Sequence, residues 1–539
     1  MSASPLIVRL VNRVWIASCS REHARFTAAL GEVAQTQSHY LLDLLKRNAE
    51  TRFGRKHDFA GIRSVAEFQA RVPVANYESF VSDIEAIAGG ENGVLTRERV
   101  RRFQPTSGSL SATKLIPWTA GLAREFQRGI APWLATLYRR RPELFRGASY
   151  WSVSPPGHAP RVYRRLPVGF GDDSEYLGGV GKRVFPLISC APPDAACCGD
   201  VDEFAVRTLV SLLAEENLSL ISIWSPTFLT ILLEQFLKHP EELLGALMRH
   251  GSKSSQKRTA FLESIVHEGV GPDIFKRVWP RLRLISCWTH GPSDLYAKQL
   301  QRYFPGVEIQ GKGLVSTEAF ASLPFEQDKD PVLAVTSHFF EFQQADSGQF
   351  FLAHQLSKGR TYRLIVTTGG GLYRYSLGDL VQVTGFIQEA PCFRFVGREG
   401  NRSDLFGEKL QGAFVQETVR RVLNQHGVEA RFFLVAPVVT IEHKTNYTLF
   451  IQANRISDIA GLEKSFEHSL SENFHYAHCR RLRQLGAGRV FQIDRSDTSP
   501  EWVFQETMRA RGIRSGDIKM VPLDSNFGWE KRFKGKYVA

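Results

Sequence analysis

Apolar positions in the first hundred residues recur at spacings of three and four. Leu41, Leu42, Leu44 and Leu45, with Asn48 following, make one such stripe, and that period places side chains on one face of a helix. Ser38 stands ahead of it as the expected cap. Ser64-Val65-Ala66-Glu67 has capping-box spacing and predicts a short helix toward Ala70, stopped by Pro73. The middle of the chain alternates between two textures. Tyr150–Ser154, Leu218–Trp224, Leu282–Trp288 and Tyr362–Thr367 are short apolar runs that read as strands. Pro155-Pro156-Gly157 ends the first and Gly369-Gly370-Gly371 the last. Ser225-Pro226 opens a helix filled by Phe228, Leu229, Ile231, Leu232, Leu233 and Phe236, with serine as cap and proline at the first helical position. Strands separated by helices predict an α/β layered fold.

The pattern changes near residue 397. Val415, Val419, Val422 and Leu423 predict a short amphipathic helix, Phe432–Val439 and Tyr447–Gln452 neighbouring strands, and Ile456–Asn473 another helix, before a polar and basic tail. The expected organisation is a large N-terminal α/β domain, residues 1–397, with mixed sheets flanked by helices, and a smaller α+β domain, residues 398–539, joined through a hinge near Gly397–Arg402.

The length agrees with more than one domain. At 539 residues the chain exceeds the roughly 250–300 at which a single core stops growing. A hydrophobic content of 43% and a charged content of 23% are those of an ordinary globular protein. The net charge of +13 raises nucleic acid, membrane surface or an anionic substrate as partners. The basic runs Tyr138-Arg139-Arg140-Arg141 and Arg480-Arg481-Leu482-Arg483 are short and separated, and no nucleic-acid-binding motif accompanies them. Neither nucleic acid nor membrane is therefore an expected partner. Pro5–Ile16 is fairly apolar, but Arg9, Asn12 and Arg13 interrupt it. It lacks the apolar stretch of a secretory signal, and no run approaches the roughly 20 residues of a membrane span. Seven cysteines without a CxxC pair read as free thiols in a reducing compartment, so a cytoplasmic location is expected.

Five clusters carry candidate chemistry. Thr106-Ser107-Gly108-Ser109-Leu110-Ser111-Ala112-Thr113-Lys114 holds five hydroxyl side chains, one glycine and one lysine in nine residues. Backbone N–H groups, hydroxyls and an ammonium suit phosphate oxygens. The Walker spacing is absent, and such a loop is more often a solvated turn. Gly313-Leu314-Val315-Ser316-Thr317-Glu318 follows, where Glu318 reads either as a Mg²⁺ ligand or as the acidic first turn of a capped helix. In Leu372-Tyr373-Arg374-Tyr375-Ser376-Leu377-Gly378-Asp379 the aspartate after glycine suits a ribose diol, the other reading being a surface turn, and Arg374 suits an anion. Phe395-Val396-Gly397-Arg398, with Phe406-Gly407-Glu408-Lys409 beyond it, and Gly516-Asp517-Ile518-Lys519-Met520 complete the series. Singly, each of these last is more often a surface loop.

Their order discriminates where the pieces do not. A hydroxyl-rich loop ending in lysine, then STE, YRYxxGD, FxFxGR and a C-terminal lysine resembles the layout of adenylate-forming enzymes. YRYSLGDLVQVTGF, Lys114-Leu115-Ile116-Pro117, Val72–Glu78 with Asn48 and Thr51 upstream, and Gly407-Glu408-Lys409 are similar to one branch: the plant auxin- and jasmonate-conjugating acyl-acid amido synthetases, the Gretchen Hagen family, and their bacterial relatives. The resemblance spans nearly the whole chain. It implies ATP-dependent activation of a small carboxylic acid as acyl-adenylate, with Mg²⁺, and transfer to an amine, often of an amino acid. It implies that Thr106, Ser107, Gly108, Ser109 and Lys114 cradle phosphates. Ser316 and Thr317 would meet the α-phosphate region, Glu318 the metal, Asp379 the ribose and Arg398 the nucleotide. Lys519 would act on the phosphate during adenylation, carried by a mobile C-terminal domain. The family loop has a glycine where this chain has Ala112. Rival readings are an acyl-CoA or carrier-protein ligase sharing the first step, and a nucleotide-binding homologue that has lost catalysis. A monomer is expected. Trp224 and Trp288 read as core aromatics, the other reading being a wall of the acyl pocket, while Cys287 and His290 receive no role.

Overall fold

The structure, a computed structural model, describes residues 5–106, 114–152, 161–170, 176, 178–192, 201–249, 253–269, 271–291, 293–398, 402–440, 444–496, 498–511, 513 and 518–537. The chain divides into two compact units. One is built from Met1–Trp288 and Leu300–Phe395, the other from Thr289–Gln299, Val396–Ile513 and Ile518–Ala539.

The first unit holds three sheets. A small one, ordered β2-β1-β5-β4, contains the hairpin β1 (Arg102–Pro105) and β2 (Leu115–Trp118) with β4 (Arg161–Tyr163) and β5 (Leu166–Val168). The second contains β3 (Ala148–Trp151), β6 (Leu218–Ser222), β7 (Leu284–Cys287) and β8 (Glu308–Gly311) in that order, all parallel. Helices such as Pro226–Lys238 and Ser293–Tyr303 lie between its strands in sequence, and β6 and β7 are buried along their length. That is why they appear as unbroken apolar runs. The strands stop short of the expected ends, leaving Trp224 and Trp288 beyond their carboxyl termini.

The third sheet has seven strands, ordered β12-β11-β13-β14-β15-β10-β9. They are β9 (Ser322–Leu323), β10 (Val332–Leu333), β11 (Phe339–Gln344), β12 (Phe350–Leu352), β13 (Thr361–Thr367), β14 (Tyr375–Ile387) and β15 (Ala390–Arg398). A single large core joins these sheets to the helix Ala120–Arg140, whose Leu122, Phe126, Ile130, Leu134 and Leu137 recur at helical spacing. The side-chain hydroxyl of Thr119 caps that helix by accepting from Leu122 N–H at 3.0 Å.

Of the local expectations in this unit, one is corrected and one holds with a shifted partner. The helix carrying Leu41, Leu44 and Leu45 begins at Val33, so Ser38 lies inside it rather than at its cap. Burial of Val33 and Gln37 extends the stripe upstream, an extension that tertiary contact supplies. Ser64 does cap Val65–Arg71, accepting from Glu67 N–H at 3.2 Å, while the Glu67 carboxylate accepts from Arg63 N–H at 2.8 Å, one residue before the cap.

In the second unit β18 (Ala430–Val439), β19 (Thr445–Ala453), β20 (Arg489–Ile493) and β21 (Gly535–Tyr537) form a sheet in chain order, and β16 (Arg402–Ser403) pairs with β17 (Leu410–Gln411). The helices Gly412–Gln425 and Ile459–Leu470 contribute to one core with Val435, Leu449 and Val490. A second core joins Phe432, Phe450 and Phe491 to Phe504, Trp529 and Tyr296. The expected helix Ile456–Asn473 is Ile459–Leu470 followed by Phe474–Arg481, with Asn473 capping the latter. The basic tail is structured: it supplies β20, the helix Pro500–Ala510 and β21. Among the described residues no helix is long and apolar enough to cross a membrane.

Candidate active site

The hydroxyl-rich loop closes the β1–β2 hairpin. Thr106 N–H donates to the Lys114 carbonyl at 2.9 Å, which fixes the neck. Leu115 N–H donates to the Tyr77 hydroxyl at 2.8 Å, and the Lys114 ammonium lies 5.6 Å from the centre of the Tyr77 ring. Ser107, Gly108, Ser109 and Ala112 lie outside the described residues.

Ser316, Thr317 and Glu318 occupy a tight turn between β8 and β9. Ser316 N–H donates to Ala319 carbonyl at 2.9 Å, Ala319 N–H returns to Ser316 Oγ at 3.2 Å, and Val315 bridges Phe320. No helix begins here, so the capped-helix reading of Glu318 does not hold. Gly313 enters the turn with φ of 84°, and a Cβ there would stand 2.4 Å from the Ser322 carbonyl oxygen; only glycine fits without displacing the turn.

Glu318 is 3% exposed, and its Oε1 has no hydrogen-bond partner. An unsatisfied buried carboxylate oxygen is costly, and a bound cation offsets that cost. The described residues contain no group of three His, Cys, Asp or Glu side chains that could hold a metal ion. One carboxylate with substrate phosphates and water is a donor set that suits Mg²⁺, so the residues fit that ion.

The turn is braced from behind. Phe320 N–H donates to His338 Nε2 at 3.0 Å, so the proton of the neutral ring is on Nδ1, which meets Glu125 Oε2 at 3.0 Å. The Glu125 carboxylate also accepts from Tyr40 hydroxyl at 2.6 Å and from Gly369 N–H at 2.9 and 3.0 Å. Burial and the Glu125 charge push the Tyr40 phenol well above its ordinary range. One buried carboxylate thus ties the STE turn to the glycine loop after β13. Nothing in the local sequence around Glu125 or His338 marked either residue.

The YRYSLGD segment corrects two expectations. Arg374 is 5% exposed and binds no external anion: its guanidinium pairs with Glu341 at 2.9–3.1 Å and donates to the Gln69 and Val72 carbonyls at 2.9 and 2.7 Å. It clamps β14 to β11 and to the end of the helix Val65–Arg71. Asp379 lies inside β14 and is 7% exposed, not in a surface turn. The register passes from Arg363 opposite Leu380 to Ile365 opposite Ser376, so Leu377, Gly378 and Asp379 bulge out of the ladder. Gly378, with φ of 75°, makes that bulge possible. Thr106, Lys114, the STE turn and Asp379 thus belong to the first unit.

Arg398 and Lys519 belong to the second. Arg398 is exposed at the end of β15, and Lys519 is exposed between the buried Ile518 and Met520. Gly516 and Asp517 lie outside the described residues. Glu408 is fully buried and accepts from Leu405 and Phe406 N–H, each at 2.8 Å, and from the Tyr447 hydroxyl. It shapes its own loop.

Sequence reasoning also passed over Lys312, which lies between two glycines. It is 7% exposed, donates to Ser222 Oγ at 2.5 Å, and stands within 6 Å of the rings of Trp133, Trp151 and Trp224. Trp224 and Trp288 are half-buried, their ring centres 5.9 Å apart.

Residues 22–309 match the GH3 family N-terminal domain, and residues 331–398 the GH3 family central domain. The chain belongs to the GH3 family. Among similar GH3 proteins, an indole-3-acetic acid-amido synthetase of Oryza sativa subsp. indica, GH3.8, is 26% identical over 438 residues, covering 73% of this chain and 72% of its own. A probable indole-3-acetic acid-amido synthetase of Oryza sativa subsp. japonica, GH3.12, is 23% identical across 92% of both chains. The solved structure of the acyl acid amido synthetase AtGH3.15 in complex with 2,4-DB superposes with a TM-score of 0.80 at 20% identity, covering 95% of each chain. The GH3 fold therefore extends over both units, including the C-terminal region beyond the two matched domains.

Proposed function

We propose that this GH3 chain adenylates a small carboxylic acid with ATP and transfers the acyl group to an amine, the amine of an amino acid being the favoured acceptor. The observation that carries the proposal is the buried, unpartnered Oε1 of Glu318 on the STE turn, within a family whose relatives are amido synthetases.

In the first step a carboxylate oxygen attacks the α-phosphorus of ATP. The P–O bond to pyrophosphate breaks, and acyl-AMP and pyrophosphate result. In the second, the amine attacks the acyl carbon, AMP leaves, the nitrogen loses a proton and an amide forms. Both reactants of the first step are anionic, so catalysis rests on offsetting charge repulsion. Mg²⁺ held by Glu318 would supply that neutralisation between the phosphates. Thr106, Ser107, Gly108, Ser109 and Lys114 hold the outer phosphates, where backbone N–H groups, hydroxyls and an ammonium meet oxygens. Ser316 and Thr317 face the α-phosphate. Asp379, aimed by its bulge, accepts from the ribose hydroxyls. Arg398 meets the nucleotide, and Lys519 stabilises charge on the phosphate during adenylation. The free cysteines are those of a reducing cytoplasm.

Acid-dependent ATP–pyrophosphate exchange tests the first step, and product analysis with amino acids against CoA tests the second. Amide formation is expected. A thioester would replace the amido-synthetase reading with the acyl-CoA ligase one, and ATP binding without exchange across a broad acid panel would mark a chain that has lost catalysis. Lys519→Ala is expected to slow exchange, and Asp379→Ala to weaken ATP binding; full activity in either variant overturns that assignment.

A further inference from the structure

The carboxyl ends of a parallel sheet are where α/β proteins bind ligands, and in this chain that edge is unusually furnished. Trp151, Ser222, Ser286 and Gln310 share one register row across β3, β6, β7 and β8. Beyond them the ladder continues: Trp288 N–H donates to Trp224 carbonyl at 2.9 Å and Lys312 N–H to Cys287 carbonyl at 3.0 Å. Trp133 covers the row from the helix Ala120–Arg140, its indole N–H donating to Gln310 Oε1 at 3.2 Å. The Lys312 ammonium lies 4.9, 5.2 and 5.7 Å from the ring centres of Trp133, Trp224 and Trp151.

Lys312 has three N–H donors, and Ser222 Oγ takes one. Among the described residues no carboxylate pairs with it, since Glu308 on the same strand is held by Arg141 at 2.8 Å. The titratable group that acts on Lys312 is Cys287, whose thiol burial pushes up to about 12, so it stays neutral. Indole faces return part of the cost of burying an ammonium. They satisfy none of its remaining hydrogens with an oxygen. Ser286 Oγ, in the same row and fully buried, also has no partner. Two polar groups that await an oxygen therefore stand beside an aromatic wall.

We propose that Lys312, Ser222 and Ser286, with the indoles of Trp133, Trp151 and Trp224, form the acyl-acid subsite, and that it selects a carboxylic acid bearing a second oxygen group, either hydroxyl, keto or carboxylate, remote from the carboxylate that is adenylated. This rests on the adenylation reading above. The enclosed ammonium suits the inner end of a substrate, whereas the carboxylate under attack must reach the STE turn. Burial holds the Lys312 ammonium down to about 7 in the empty site. An acceptor oxygen on the ligand raises it again, so binding of such an acid takes up a proton as pH rises past 7. An acid without the second oxygen lacks that linkage.

The test measures ATP–pyrophosphate exchange with matched pairs, benzoate against 4-hydroxybenzoate and terephthalate, and hexanoate against adipate, from pH 6 to 9. At pH 6.5 at least one substituted acid should exceed its parent about 100-fold in kcat/KM, and the ratio should fall toward one by pH 9. Lys312→Met and Lys312→Gln should bring the ratio near one at every pH. An unchanged ratio in a folded variant, or a wild-type ratio that ignores pH, overturns the proposal. If no acid of a broad panel supports exchange, the adenylation reading fails, and tryptophan fluorescence titrated with these five acids decides the subsite alone. Proton-linked quenching by the substituted acids that Lys312→Met abolishes supports it; no quenching, or equal affinity in the variant, overturns it.

Discussion

Glu318 and Lys312 are both buried charges that the fold does not pair, and each makes a prediction at the level of one side chain. Replacing Glu318 with glutamine removes a buried negative charge whose Oε1 accepts nothing. Stability should hold or rise, because an unpaired buried charge is a cost. ATP–pyrophosphate exchange should fall by roughly 100-fold or more, the usual scale for losing electrostatic stabilisation at a reacting phosphate. Thermal melting and exchange on the same sample check both halves. Lys312 titrates at about 7 when folded, because burial disfavours its charge, against roughly 10.4 when unfolded. Between those values the unfolded chain binds more protons, so stability rises with pH across that window. The burial cost is fully present below about pH 7. Lys312→Met should therefore raise the melting temperature most at or below pH 7, and the gain should shrink toward pH 10. A gain constant with pH contradicts the assignment. Glu318 was legible in the sequence because it sits in an ordered series of motifs. Lys312 was not, because the indoles that surround it come from residues 133, 151 and 224.

Elements position what the residues do. The bulge at Gly378 puts Asp379 out of step with β13, and it depends on a positive φ. Gly378→Ala should cost about 1 kcal/mol or more and raise the KM for ATP more than it lowers kcat, as steady-state kinetics would show. The sequence predicted a loop here because glycine and aspartate are turn residues, yet neighbouring strands carry the ladder past the irregularity. The Glu125 network acts at the same scale. It joins the helix Ala120–Arg140 to the STE turn through His338 and to the glycine loop through Gly369 N–H. Glu125→Ala would leave Tyr40, His338 and Gly369 N–H unpaired in the core, at an expected cost of about 3 kcal/mol read from urea unfolding. No local pattern betrays such a network, since its members are distant in sequence.

The whole molecule consists of two units with separate cores, and the second recruits Tyr296 from a segment that precedes it by a hundred residues. Two units of this kind should give two transitions in calorimetry. Tyr296→Ala, which deletes an aromatic ring from the second core, should lower one transition by a few kcal/mol and leave the other in place. A change in both would show that the units unfold together.

The sequence by itself determined the alternation of strands and helices, the motif order and hence the family. These follow from local periodicity, turn chemistry and residue identity, all of which are written contiguously. It offered candidate roles for Glu318, Asp379 and Lys519, as positions in a recognised series. Only the tertiary structure decided that Arg374 is a clamp on Glu341 and that Asp379 rides a bulge. Only it gathered the tryptophans around Lys312, and only it showed the basic tail to be part of a sheet. The reason is physical: burial, ion pairing and strand register are relations between distant segments, and no window of neighbouring residues contains them.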